Sequence, residues 1–238
     1  TKDDGVTFVH AVVIAAKKDE QGSWTDKRHC TDMRPTNKKA KKDVYQMPTP
    51  DSLFQEMGGS VYFSTFDMRS GFHNIVIPHE QQRQFAFYWR GETWLYTRMP
   101  FGHVNAPATY QRVMDAMVRE AGVGDKCVVY MDDVVIHTVT VEEHLAVIDA
   151  LFAVFRTHRM FVHPKKTLLL AEDIEFLGHR IHPGGVSPHG AKVAGLLQLR
   201  DPTSPAEVRS LLGSLQYYSA YVPSFSNLAA PITKLLRK

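Results

Sequence analysis

Asp132 and Asp133 stand side by side in Val128-Val129-Tyr130-Met131-Asp132-Asp133-Val134-Val135-Ile136, between two runs of β-branched and aromatic residues. Each run reads as a short buried strand, and the acids break the apolar pattern where a tight turn falls. A hairpin would hold one or both carboxylates at its tip on a rigid support. Two like charges this close raise a pKa, and a divalent cation relieves the repulsion. Hard oxygen ligands suit magnesium. The plainer reading is a surface turn with two solvated acids, so a second acid in the same setting decides the case. Asp67 is that acid. It closes the run Val61-Tyr62-Phe63-Ser64-Thr65-Phe66, which reads as a strand buried on both faces. An Asp in that position also commonly starts a turn or caps a helix. Asp67 lies 65 residues before Asp132. Two strands of one antiparallel sheet would bring them together, able to hold two divalent ions about 3.5–4 Å apart. One ion would activate a hydroxyl nucleophile and the other would steady a leaving pyrophosphate. In-line phosphoryl transfer then needs mainly positioning and positive charge on the phosphates.

The elements that would position these acids follow from apolar period and turn chemistry. Residues 8–16 read as a buried strand, Lys17 to Ser23 as an exposed turn, and Cys30-Thr31-Asp32-Met33-Arg34 as the returning strand. Thr49-Pro50 opens a short helix that Gly58-Gly59 closes. Residues 85–97 form a hairpin with Arg90-Gly91-Glu92 at its turn. Met99-Pro100-Phe101-Gly102 is a loop, and Asn105-Ala106-Pro107 starts a helix with the stripe Tyr110, Val113, Met114, Met117 and Val118. Thr140 and Glu143 make a capping box for a helix whose apolar face is Leu145, Ile148, Phe152 and Phe155. Residues 175–181 read as a hairpin arm, and Pro183-Gly184-Gly185 as a unit boundary. Ser187-Pro188 opens a helix through Leu199, and Ser204 with Glu207 caps a second, striped by Val208, Leu211, Leu212, Leu215 and Tyr218. The fold class is α+β, then all helical. His10, His73, His144, His158, His182 and His189 show no ligand spacing and read as structural or surface residues.

The 238 residues, 44% hydrophobic and 22% charged, suffice for one large domain or two small ones with a sizeable core. Cys30 and Cys127 make neither a disulfide framework nor a zinc spacing, which suits a reducing, intracellular setting. No apolar run approaches the roughly 20 residues of a membrane span. The start at Thr1 reads as a piece of something longer. Net charge is +3 but segregated: +4 over residues 1–42, −7 over 43–155 and +6 over 156–238. Basic ends suit phosphate contacts, and an acidic centre suits bound metal. Lys38, Lys39, Lys41 and Lys42 with Lys17, Lys18, Arg28 and Arg34 would form one wall of a phosphate-binding groove, or simply a solvated face.

Four motifs come in an order that resembles reverse transcriptases. They are Phe66-Asp67-Met68-Arg69-Ser70-Gly71-Phe72-His73, then Met99-Pro100-Phe101-Gly102 with Asn105-Ala106-Pro107-Ala108-Thr109-Tyr110-Gln111, then Tyr130-Met131-Asp132-Asp133, then Phe176-Leu177-Gly178-His179. The pattern is most similar to the enzymes of Ty3/gypsy-type LTR retrotransposons and runs over nearly the whole chain. The resemblance implies a right-hand polymerase, with a palm of antiparallel sheet packed on helices, interleaved fingers and a helical thumb. Fingers and palm would occupy 1–183 (fingers about 1–57 and 76–104, palm about 58–75 and 105–183). Residues 184–238 would form the thumb and the start of the connection. It implies Asp67, Asp132 and Asp133 as catalytic acids, with Asp67, Asp132, Asp133 and the Met68 carbonyl holding Mg2+, or Mn2+ in its place. Lys17 or Lys18, Arg28, Arg34, Phe72, Phe101 and Gly102 would bind the nucleotide, Phe72 excluding a 2′-hydroxyl. Tyr130, Met131, Phe176, Leu177, Gly178 and His179 would hold the primer. The implied partners are an RNA or DNA template with a DNA or RNA primer, dNTPs, and downstream RNase H and integrase portions of a polyprotein, without a membrane. The implied setting is a cytoplasmic retrotransposon particle, with the nucleus as the alternative. The rival reading is a catalytically inactive, co-opted nucleic-acid-binding module. His103 and Val104 depart from the Leu-Thr common after Phe-Gly, Met33 and His137 from aromatics, and the Arg28 match rests on a shifted loop.

Overall fold

Strands rich in β-branched and aromatic residues form the centre of the molecule. The computed structural model describes residues 8–18 and 23–236, and only the backbone at 17, 18 and 25–28. In chain order, β1 (Val12–Lys18) and β2 (Trp24–Thr31) make an antiparallel ribbon, followed by α1 (Arg34–Lys39) and α2 (Pro50–Glu56). β3 (Tyr62–Asp67) leads to α3 (His79–Gln82) and the hairpin of β4 (Ala86–Trp89) and β5 (Glu92–Leu95). Next come α4 (Ala106–Ala121), β6 (Cys127–Tyr130), β7 (Asp133–Thr138) and α5 (Val141–Thr157). β8 (Leu168–Ala171) precedes a meander of β9 (Ile174–Phe176), β10 (His179–His182) and β11 (Gly185–Pro188). Three helices follow: α6 (Gly190–Leu197), α7 (Pro205–Gln216) and α8 (Phe225–Lys234).

The central sheet has the order β6-β7-β3-β8 and is antiparallel throughout. Its period of two separates the side chains into two cores. Phe66, Val129, Val134 and Ile136 pack with Tyr110, Met114, Leu151 and Phe155 of α4 and α5. Phe63, Val128 and Val135 pack on the other side with Leu53, Phe54 and Met57 at α2 and with Ile174, Phe176 and Ile181 of the meander. Phe63 and Phe66 are 0% and 1% exposed, each burial contributing about 1.5–3 kcal/mol. Caps fix where the helices begin. Thr49 and Ser52 exchange a capping box at α2, and Thr140 accepts from Glu143 N at α5. At α7 Ser204 accepts from Glu207 N, while the Glu207 carboxylate turns to Thr203 instead of closing the box.

Several elements differ from the sequence expectation. The returning strand is Trp24–Thr31, because His29 and Cys30 pair with Ile14 and Val13, and Arg34 begins a helix instead. Of the expected Lys17–Ser23 turn, residues 19–22 lie outside the described residues. The buried face of α5 is His144, Val147, Leu151, Val154 and Phe155, whereas Leu145 is 50% exposed. His144 sits inside because both ring nitrogens are satisfied, by Ser64 Oγ at 2.7 Å and Thr138 Oγ1 at 2.8 Å. Residues 174–182 are a complete hairpin with Leu177-Gly178 at the turn, both at positive φ. Pro183-Gly184-Gly185 turns the chain from β10 back into β11. The helix expected from Ser187-Pro188 starts at Gly190, because Pro188 still pairs with His179 and His189 supplies the N-cap.

Candidate active site

The ladder between β3 and β7 sets Asp67 directly opposite Asp133, and β6–β7 pairs Tyr130 with Asp133. Directly opposed residues share a sheet face, with Cβ atoms about 4.5–5.5 Å apart. Strand alternation puts Asp67 on the side of Phe63 and Asp133 on the side of Val135, the face covered by the meander. Met131 and Asp132 are the two turn residues between Tyr130 and Asp133. Met131 takes φ +57°, the left-handed value that two-residue hairpin turns require and that usually falls to glycine. The turn is tied back to β3, since Met68 N–H donates to the Asp132 carbonyl at 2.9 Å. The Asp67 carbonyl accepts from His163 N at 2.8 Å, so β3 is held from both sides.

Gly71 lies directly against the Asp132 carboxylate. A Cβ built there would be 2.8 and 2.9 Å from the two carboxylate oxygens, and its φ is +39°. Asp132 Oδ1 is buried and has no hydrogen-bond partner, nor does the buried Tyr110 hydroxyl. The two residues influence each other electrostatically without a hydrogen bond of normal geometry. Burial, then the charges of Asp67 and Asp133, push the Asp132 carboxyl above its usual range, against a smaller opposing pull from Tyr110 and Lys166. Burial and Asp67 do the same to Asp133. Lys166 Nζ, which the motif reading missed, pairs with Asp67 Oδ2 at 2.6 Å. Its clue in the sequence was the basic pair Lys165-Lys166 in the turn Pro164–Lys166 that leads into β8. With Asp67 turned to Lys166, no three His, Cys, Asp or Glu side chains among the described residues converge in ligating geometry. The donor set nonetheless fits a hard divalent cation. Three carboxylates crowd one end of a sheet against a single lysine, one oxygen is buried unpaired, and the glycine leaves the space beside it open.

The remaining expected residues divide by location. Phe72 packs its ring on Phe101 and Tyr110, with centroids 5.5 and 5.6 Å away, so it adjoins the Asp132 corner. Gly102 has φ +92° and its carbonyl accepts from Asn37 Nδ2, while Asn37 Oδ1 accepts from Val104 N. Asn37 thus fixes the Phe101-Gly102 loop and was not singled out by sequence. Arg34 is not drawn to the acids. It makes a bidentate pair with Asp32 and is 84% exposed, and that guanidinium holds the Asp32 carboxyl down at about 2. The side chains of Lys17, Lys18 and Arg28 lie outside the described residues. Phe176 and Leu177 line a cavity of about 190 Å³ together with Asp67, Asp133 and Lys166. A larger cavity of about 500 Å³, between α2 and α4, contains none of the three acids. Phe176 and His179 are themselves buried, at 4% exposure each, so the Leu177-Gly178 turn is what the hairpin presents. Tyr130 and Met131 are half-buried at the base and tip of the turn that carries Asp132. The His179 ring is enclosed by Phe54, Tyr217, Tyr218 and Tyr221. The Tyr217 and Tyr218 hydroxyls donate to the Leu177 and Gly178 carbonyls.

Residues 16–181 match the family model described as reverse transcriptase (RNA-dependent DNA polymerase). The chain is 33% identical over 94% of its length to the Pol polyprotein of transposon 297 of Drosophila melanogaster, covering 21% of that protein. It is 32% identical to that of transposon gypsy of the same fly, over 89% of this chain and 20% of the relative. It therefore spans about a fifth of the length of these relatives. Among solved structures, the foamy viral protease-reverse transcriptase in complex with double-stranded DNA superposes with a TM-score of 0.89. That match has 26% identity and covers 99% of this chain and 40% of the other. The same viral protein in complex with an RNA/DNA hybrid gives a TM-score of 0.81 at 26% identity, over 95% of this chain and 30% of the other. The fold is thus the right-hand polymerase fold, and the chain belongs to the reverse transcriptase family, in the form carried by the Pol polyproteins of gypsy-type retrotransposons.

Proposed function

We propose that this chain adds dNTPs to a primer 3′-hydroxyl on an RNA or DNA template, as the polymerase portion of a retrotransposon polyprotein with RNase H and integrase portions downstream. The observation that carries the reading is the pairing of Asp67 with Asp133 across β3 and β7, with Asp132 in the adjoining turn. Asp67, Asp132, Asp133 and the Met68 carbonyl would hold Mg2+ or Mn2+. Bound there, the ions would supply the charge that acidifies the primer hydroxyl and balances the leaving pyrophosphate. The chain's own residues position the reactants. Gly71 leaves room beside Asp132, and Phe72, braced by Phe101 and Tyr110, forms a rigid floor below the incoming sugar. The Leu177-Gly178 turn presents the primer end to the cleft that holds Asp67 and Asp133. We assign the fingers to about 1–57 and 76–104, the palm to about 58–75 and 105–183, and the thumb to the helices beyond 184. The setting we infer is intracellular, in a retrotransposon particle, by kinship with those polyproteins.

The test is extension of an oligo(dT) primer on poly(rA) with dTTP. The chain should extend it only with a divalent cation, and Asp67→Asn or Asp132→Asn should lower the rate by about 10³-fold or more. Salt-sensitive primer–template binding without any extension would instead favour the inactive module.

A further inference from the structure

Gln111 lies on α4 next to the apolar stripe and is 0% exposed. A buried primary amide must find partners for its oxygen and both its hydrogens. Its Oε1 accepts from Met131 N at 2.8 Å, and its Nε2 donates to the Val129 carbonyl and to Asp115 Oδ1, each at 2.9 Å. The chemistry fixes this orientation: a flipped amide would set NH2 against N–H and its oxygen against a carbonyl and a carboxylate. One side chain thus holds the backbone on both sides of Tyr130, ending on the residue whose φ is +57°. Asp115 Oδ2 in turn accepts from the Tyr45 hydroxyl, and the Tyr45 ring lies 4.8 Å from the Arg112 guanidinium. Arg112 pairs with Asp43 at 2.6 Å. A polar chain therefore runs from the 43–45 segment through α4 to the turn bearing Asp132.

We propose that Gln111 is a positioning residue that holds Met131 at its positive φ in the turn bearing Asp132, and that Tyr45 and Asp115 fix its amide. Among the described residues the turn backbone has two external ties: Met68 N–H on the Asp132 carbonyl, and Gln111 on Met131 N–H. The first is backbone and survives any substitution but proline; the second depends on one side chain. Without it, a non-glycine residue at positive φ has less to hold it, and the Asp132 carboxylate moves with the turn. The kinetic part of this inference rests on the polymerase reading.

Two readouts test it. Gln111→Met conserves length and apolar packing but makes neither bond. In protein labelled with 13C-methyl methionine, and with the Met131 signal assigned by Met131→Leu, that signal should shift and broaden in Gln111→Met. In primer extension, kcat should fall about 30-fold while the dTTP KM and primer–template affinity stay within about 3-fold. Gln111→Glu alone sets two carboxylates together. Gln111→Glu with Asp115→Asn keeps the acceptor for Met131 N–H and turns the opposing carboxylate into an amide donor, leaving only the Val129 carbonyl opposed, and should recover about 3-fold over Gln111→Glu. An unmoved Met131 signal with kcat within 3-fold of the parent overturns the proposal, as does a double variant no better than the single. Should Gln111→Met not fold, Tyr45→Phe removes only the hydroxyl bond to Asp115. It should move the signal the same way and lower kcat about 3-fold, and no movement overturns the proposal. If the parent chain extends nothing, the polymerase reading fails, and the Met131 signal alone decides the role of Gln111.

Discussion

Gly71→Ala is the most informative single change at the acids. Two effects combine at that position. Its φ of +39° penalises any Cβ by about 1–2 kcal/mol. The Cβ would also stand 2.8 and 2.9 Å from the Asp132 oxygens, so the carboxylate must retreat by about 0.5 Å to reach ordinary contact. A displacement of about 1 Å at a reacting group costs about 10²-fold. Half of that predicts a 10- to 100-fold fall in kcat, or about 1.4–2.7 kcal/mol of barrier. Gly91→Ala is the matched control: its φ is +83°, but nothing lies within 4 Å of the added Cβ. It should lose about 1 kcal/mol of stability by urea denaturation and retain its extension rate. Steady-state extension and unfolding of both variants, side by side, separate strain from collision. The reasoning is refuted if Gly71→Ala extends within 2-fold of the parent, or if Gly91→Ala loses comparable activity.

Three further outcomes follow from contacts already described. Phe72→Ala removes the ring held by Phe101 and Tyr110, so the preference for dTTP over UTP should fall by about 10-fold or more; unchanged discrimination rejects the steric role. Tyr217→Phe with Tyr218→Phe deletes both hydroxyl bonds to the Leu177-Gly178 turn, so single-turnover extension should persist while dissociation from primer–template speeds up about 10-fold; an unaltered off-rate counts against the joint. His137 is buried against Ser60, and burial, then Lys126, push its imidazole down to about 4. Between pH 6.5 and about 4 the unfolded chain takes up a proton that the folded chain refuses, so stability falls as pH drops through that window. From pH 7.5 to 5 the loss from His137 is about 2 kcal/mol by urea midpoints, and a profile no steeper than that of His137→Gln would contradict it.

Local chemistry made much of this molecule readable before its structure. The strands around Asp67 and Asp132-Asp133 are short and uniformly apolar, and Arg90-Gly91 form the turn of a hairpin at φ +52° and +83°. Failures came where a partner distant in sequence overrides the local signal. His144 displaces Leu145 from the core because Ser64, eighty residues earlier, completes its hydrogen bonds. The sequence Thr25-Asp26-Lys27-Arg28 lacks apolar alternation, so nothing local marks the start of β2; its strand state comes from pairing with β1. Pro188 resembles a helix start, yet it ends a strand because its ladder partner is His179. At the site, the motif acids were legible but their supports were not. Gln111 ends a quoted motif and Lys166 follows another lysine, but neither they nor Asn37 reveal in sequence the partners they hold, which lie 18 to 99 positions away.

That division has a physical reason. A carboxylate that handles phosphate chemistry must be an Asp at one place, so its type and the strand behind it leave a local trace. A support needs only to offer a hydrogen bond from some direction, and several elements of the fold can offer it. Here the directions are filled by the backbone of Met68, by the amide of Gln111 and by the missing side chain of Gly71. The first is insensitive to substitution, the second depends on two hydrogen-bonded atoms, and the third depends on an absence. Tolerance at the turn should therefore rank in that order. Met68→Leu keeps the N–H on the Asp132 carbonyl and should extend near the parental rate. Gln111→Met should be slower, and Gly71→Ala with Gln111→Met should fall by more than the product of the single losses, since both act on the same carboxylate. Simple multiplication of the two effects would mean that the glycine and the glutamine support Asp132 independently.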